Sequence, residues 1–169
     1  MSAVIDSHHD DHHHGPAKGI SRWLYTTNHK DIGSMYLWFS LIMLFIGGAM
    51  AMVIRAELFE PGSQIVSPEF YNQMVTNHGL IMVFGVIMPA FVGFANWMIP
   101  MQIGAPDMAL PRLNNLSFWI LPVAFGILLS TFFMEGGAPN FGWTFYAPLS
   151  TEYAPPTVTF FIFSVHIMG

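Results

Sequence analysis

Cysteine is absent from the 169-residue chain. That excludes disulfides, thiolate metal sites and covalent attachment of a c-type haem, which needs Cys-x-x-Cys-His. Charge is scarce too: 9% of the residues are Asp, Glu, Lys or Arg, against about 25% in ordinary soluble domains. The five Lys and Arg do not cluster, so the chain offers no basic patch for nucleic acid. Between His78 and Asp107 there is no Asp, Glu, Lys, Arg or His at all.

What fills the space is apolar. Hydrophobic residues make up 53% of the chain and the mean hydropathy is +0.50. These values identify an integral membrane protein, and the long apolar runs make it all-α. Spans are expected at about residues 32–53, 68–99 and 116–134, with a fourth beginning at 157 and stopping at 169. Thirteen residues do not cross a bilayer, so the chain reads as the amino-terminal piece of a larger protein. The first apolar run follows a polar tail, a pattern unlike a cleavable signal peptide. Residues 1–18 form that tail. It carries His8, His9, His12, His13 and His14 with Asp6, Asp10 and Asp11. Such a tract can bind transition metals or be a plain solvated segment. Residues 19–169 are the membrane part.

The second span is the organising element. Ser67 suits an N-cap, Pro68 the first helical position and Glu69 the first turn. From Pro68, His78 lies about 15 Å along the helix. An ionisable side chain at that depth needs a partner. One reading is a ligand to a metal or haem iron, and the other is a histidine hydrogen-bonded to a neighbouring helix. His166 lies at a matching depth in the fourth span. It could complete a bis-histidine haem site with His78 or be a hydrogen-bonded core histidine.

Lys18, Arg22 and Lys30 precede the first span and Arg112 follows the second, whereas Arg55 alone falls on the other side. The positive-inside rule then puts the amino terminus and the Pro100–Asn114 connection in the cytoplasm. Prolines 100, 106 and 111 interrupt any helix through that connection. Asp107 is the one acid there. It can gather protons at a membrane mouth or simply serve a turn. Asn96 and Asn114 can order a water chain, or Asn114 and Asn115 can cap the third helix. Arg55 can snorkel, pair with Glu57, or reach a haem substituent. Tyr36 suits either an interfacial belt or a polar path.

Several motifs occur in one order: Thr27-Asn28-His29-Lys30-Asp31-Ile32-Gly33, Ile54-Arg55-Ala56-Glu57-Leu58, His78-Gly79, Ile103-Gly104-Ala105-Pro106-Asp107-Met108-Ala109, Pro111-Arg112-Leu113-Asn114-Asn115, Gly142-Trp143 and Pro148-Leu149-Ser150. Together they resemble subunit I of the haem–copper oxygen reductases, the cytochrome c oxidase family, over about residues 22–169. The resemblance implies a twelve-helix subunit of which this chain holds three spans and the start of a fourth. It implies that His78 is an axial ligand of the low-spin haem a, held non-covalently, with the opposite histidine on a much later helix. That disfavours His166 as its partner. By the same resemblance Arg55 bonds the haem formyl group and Trp143 lies near the propionates. Asp107 stands at the entrance of a proton pathway, with Asn96, Asn114 and Tyr36 along or near it. Glu57 and Gly62 match a surface cation site of some members. The ligands of the high-spin haem and of copper would lie beyond residue 169. The implied activity is electron transfer from cytochrome c to a haem–copper centre that reduces oxygen to water, coupled to proton pumping. The implied partners are other oxidase subunits, including a copper-bearing electron-entry subunit, and the lipid bilayer. A bacterial plasma membrane fits better than a mitochondrial one. A quinol-oxidising relative and a non-enzymatic bis-histidine electron carrier are the alternative readings.

Overall fold

The computed structural model describes residues 19–169; the His-rich tail lies outside the described residues. Among them every regular element is helical. A short helix α1 (Ile20–Leu24) lies ahead of the long α2 (His29–Glu57). Asn28 caps α2, its side chain accepting from the Lys30 N–H. Arg22 reaches forward to Asp31 at 2.8 Å, tying α1 to the first turn of α2.

Glu57 ends α2 and is buried. Its carboxylate accepts from the backbone N–H groups of Gln64, Ile65 and Val66 at 2.8, 2.8 and 3.0 Å. These bonds fold the Pro61-Gly62 turn back onto the helix, and Gly62 adopts φ +103°, which favours glycine. Ser67 then caps α3 (Pro68–Leu80) by accepting from the Phe70 N–H, with Pro68 in the first turn. Such a cap contributes about 1 kcal/mol.

The helix continues without a break through a π segment (Ile81–Ile87) into α4 (Met88–Ile103). Pro89 accounts for the widened turn. It has no N–H to give, and its ring crowds the carbonyl one turn back. Ser40 of α2 donates to the Val86 carbonyl at 2.8 Å, supplying that loosened turn with a donor from a neighbouring helix. Gly104 closes α4 in the left-handed conformation.

α5 (Pro111–Ser130) starts at a proline in its first turn, five residues before the apolar run that marks it in the sequence, and ends in a 3-10 turn to Phe133. Asn114 and Asn115 therefore sit inside the helix and do not cap it, since Leu110 holds the N-cap position. α6 (Val158–Met168) packs on α5, where Ser164 donates to the Ala124 carbonyl at 2.8 Å.

Among the described residues, three helices are long and apolar enough to cross a membrane: His29–Glu57, Pro68–Ile103 and Pro111–Phe133. α2 is the central one, packed against α3, the π segment, α4 and α5. Phe39 lies at the heart of the α2–α5 contact, with ring centroids 6.3 Å from Phe118 and 5.6 Å from Phe125. Gly85 lets the π segment close on the same ring: a Cβ there would stand 3.0 Å from Phe125. The loop from 134 to 157 folds over the second half of α3. Asn77, fully buried, donates to the Pro139 carbonyl at 3.2 Å, and Thr76 accepts from the Gly142 N–H at 2.9 Å.

Candidate functional site

Two polar clusters lie at opposite ends of the helix that runs from Pro68 to Ile103. The first centres on His78. Its Nδ1 is 2.9 Å from the Gly47 carbonyl of α2. A carbonyl oxygen only accepts, so Nδ1 carries the proton and donates. Nε2 is then the nitrogen with the lone pair, the arrangement that histidine ligands of iron adopt. Gly47 makes this bond reachable. A Cβ there would lie 2.8 Å from the Met82 sulfur and 3.1 Å from Ile81, so a larger residue would have to displace those side chains.

Gly79 follows His78, and the Trp143 ring lies 3.7 Å from where its Cβ would be. The covering loop thus lays Trp143 on Gly79, the residue after the histidine. Trp143 and His166 share a cleft of about 480 Å³ with Leu80, Phe84, Phe161 and Val165. His78 is not among its walls. His166 is exposed and donates through Nδ1 to the Ile162 carbonyl of its own helix at 2.8 Å. The two imidazoles thus donate to carbonyls of different helices.

Arg55 is two residues from Glu57, but the pair does not form. The Glu57 carboxylate is occupied by the loop N–H groups, and among the described residues the one ion pair is Arg22–Asp31. Arg55 stays exposed beside Met52, Gln64 and Ile65. Gly47, Ala51 and Arg55 recur every four residues, so they share one stripe of α2. No group of three or more His, Cys, Asp or Glu side chains able to hold a metal occurs among the described residues.

The second cluster joins α2, α4 and α5 at the other end. Pro100 lies inside α4. Without an N–H it leaves the carbonyl four residues back, that of Asn96, without its helical donor. His29 fills the gap, with Nδ1 2.8 Å from that oxygen. The Asn96 side chain accepts from Asn114 Nδ2 at 2.6 Å and donates to the Val92 carbonyl at 2.9 Å. The Asn114 carbonyl accepts from Ser117 Oγ at 2.7 Å, and that oxygen is 2.9 Å from the Tyr36 hydroxyl. Asn96, Asn114 and Tyr36 therefore belong to one connected chain of hydrogen bonds. Ser117 and His29 complete it, and neither stood out as a site residue in the sequence. Asp107 lies half-buried in the loop between α4 and α5, its Oδ1 accepting from the Met108 N–H at 2.7 Å.

Residues 31–169 match the family described as Cytochrome C and Quinol oxidase polypeptide I. The chain belongs to that family. Among curated members of this oxidase family, cytochrome c oxidase subunit 1 of Corynebacterium diphtheriae is 46% identical over 159 residues, covering 92% of this chain and 28% of the relative. A probable cytochrome c oxidase subunit 1-alpha of Streptomyces coelicolor is 47% identical over 143 residues, 85% of this chain and 25% of the relative. A heme-copper oxidase subunit I+III of Aeropyrum pernix is 45% identical over 139 residues, 82% of this chain and 17% of the relative. The chain spans about a quarter of the length of the first two. Its three apolar helices suit this multi-pass membrane family.

Proposed function

We propose that this chain is the amino-terminal part of the catalytic subunit of a respiratory terminal oxidase. The whole subunit would carry electrons through a low-spin haem a to a haem–copper centre, reduce oxygen to water and move protons across the membrane. The observation that carries the reading is the His78–Gly47 hydrogen bond. It fixes the imidazole tautomer and leaves Nε2 as a donor of the kind haem iron takes.

When bound, the haem supplies one-electron redox chemistry. The residues of this chain would hold and orient it. His78 would ligate the iron. Arg55, free of any carboxylate and about 12 Å along α2 from Gly47, would donate to a haem substituent. Trp143, packed beside Gly79, would stand near the carboxylate substituents. At the opposite end Asp107 gathers protons, and Asn96, Asn114 and Tyr36 hold water in an ordered line. We assign the His29 end to the cytoplasm of a bacterial cell, because Arg22, Lys30 and Arg112 gather there. Residues 19–169 form the membrane unit, with the tail of residues 1–18 outside it. The partners are the remaining oxidase subunits, one of them bearing copper, with cytochrome c as donor. A quinol donor is the rival reading, since the family covers both kinds of oxidase; dinuclear copper in the partner subunit separates the two. A surface cation at Glu57 and Gly62 would share the Glu57 carboxylate with the loop N–H groups that already engage both of its oxygens, and would need further oxygen ligands.

The test is His78→Ala in the full-length oxidase. The expected result is loss of the low-spin haem a absorption, and an unchanged spectrum would sink the ligand assignment.

A further inference from the structure

α2 and α4 touch backbone to backbone at Gly33 and Gly93. A Cβ on Gly33 would lie 2.9 Å from the Gly93 carbonyl oxygen, 2.8 Å from Trp97 Cδ1 and 3.3 Å from Asn96 Cβ. A Cβ on Gly93 would lie 3.0 Å from the Gly33 carbonyl oxygen and 3.0 Å from Leu37. Both glycines are buried. In each case the nearest backbone atom belongs to the other helix, so no side-chain rotation relieves the clash. The helices themselves must separate.

Within one turn of this crossing lie the cross-links of the second polar cluster. His29 bonds the Asn96 carbonyl that Pro100 leaves free. Trp97 Nε1 donates to Ser34 Oγ at 3.0 Å, and Lys30 lies over the Trp97 ring at 5.7 Å. Asn96 is three residues from Gly93, and Tyr36 three from Gly33. The Asn96–Asn114 bond joins α4 to α5 and the Tyr36–Ser117 bond joins α2 to α5, so both reach the same turn of α5 only while α2 and α4 keep this separation.

We propose that Gly33 and Gly93 are positioning residues for proton movement. Their mutual contact fixes the separation of α2 and α4, and so the spacing of the chain from His29 through Asn96 and Asn114 to Tyr36. The inference rests on the proposed proton role of that chain. It adds a demand on backbone separation that none of the polar residues carries by itself. His78 lies outside its reach. Its partner Gly47 is about 21 Å farther along α2.

The test uses the assembled full-length oxidase in vesicles. Gly33→Ala and Gly93→Ala are compared with Gly48→Ala, where an added Cβ meets nothing within 4 Å, and with Asn114→Ala. Proton uptake and protons pumped per electron are read beside the low-spin haem spectrum. The expected result is a several-fold loss of pumping in both crossing variants and in Asn114→Ala, with an intact haem spectrum throughout and wild-type pumping in Gly48→Ala. Wild-type pumping in the crossing variants, with Asn114→Ala impaired, overturns the positioning role alone. Wild-type pumping in Asn114→Ala removes the polar chain from proton movement, and the inference falls with it. Parallel loss of haem and pumping in the crossing variants also counts against it, since that is what mere misfolding produces. If Gly33→Ala prevents assembly, the milder Gly93→Ala, whose added Cβ meets the Gly33 oxygen and Leu37 at 3.0 Å, is read alone: a selective loss of pumping supports the role and wild-type pumping overturns it.

Discussion

A carbonyl oxygen has no proton to give, and this fixes the tautomers of two histidines in this chain. His78 donates to Gly47 and His29 to Asn96, each through Nδ1. Their roles divide at the other nitrogen. Asp107 works differently. One of its oxygens accepts from the adjacent N–H, and Asp107→Asn keeps the shape of that contact while abolishing titration. In the whole oxidase the substitution is expected to cut proton uptake strongly and leave the haem spectrum unchanged; wild-type uptake would remove Asp107 from the path. At this scale the sequence singles out residue types that are costly in a membrane. His78, Arg55 and Asp107 stand out because few charges or imidazoles surround them. Ser117 gave no such signal, because serine is common and its hydroxyl draws meaning only from Asn114 and Tyr36. The Arg55–Glu57 pair that spacing allows is replaced by other contacts to Glu57. Its partners are backbone N–H groups, which belong to no residue type.

Helix ends were readable to within a few residues wherever a cap or a proline marked them. Ser67, Pro68 and Asn28 all do what their types suggest. The start of α5 was not readable from hydropathy, because its first turn, Pro111 to Asn114, is polar. The π segment was hidden for a further reason. A widened turn changes which carbonyl meets which N–H while leaving the apolar run intact, and only Pro89 hints at it. The element is nonetheless tightly seated. Gly85→Leu would drive a side chain into Phe125 and Met43 and is expected to cost about 1–3 kcal/mol, read as a lowered midpoint of thermal unfolding for the assembled oxidase. Gly126→Leu is the comparison, since nothing lies within 4 Å of an added Cβ there. Equal midpoints for the two variants would show that Gly85 is not closely packed.

Over the whole molecule, only 28% of each spanning window is buried. Large apolar side chains such as Phe45 and Phe91 remain more than two-thirds exposed. Lipid and protein can both meet such surfaces, and relatives more than three times as long have protein to supply. The twelve-helix plan implied by the motifs agrees with that surplus of unpaired surface. The two polar clusters lie toward opposite ends of one continuous helix, Pro68–Ile103. That rigid body joins the histidine at one end to the asparagine chain at the other.

The proline inside α4 has a consequence that reaches into ancestry. Pro100 deletes one hydrogen, and a residue seventy-one positions earlier, His29, supplies its replacement. Neither change is comfortable alone. A histidine donor without the gap competes with a helical N–H, and a gap without the donor leaves a buried carbonyl unmet. The two sites should therefore be inherited as a pair. Among natural relatives, a lineage that replaces the proline is expected to relax its hold on the histidine as well. A survey in which the two positions drift independently would show that some other group, such as a fixed water, can take the place of the ring.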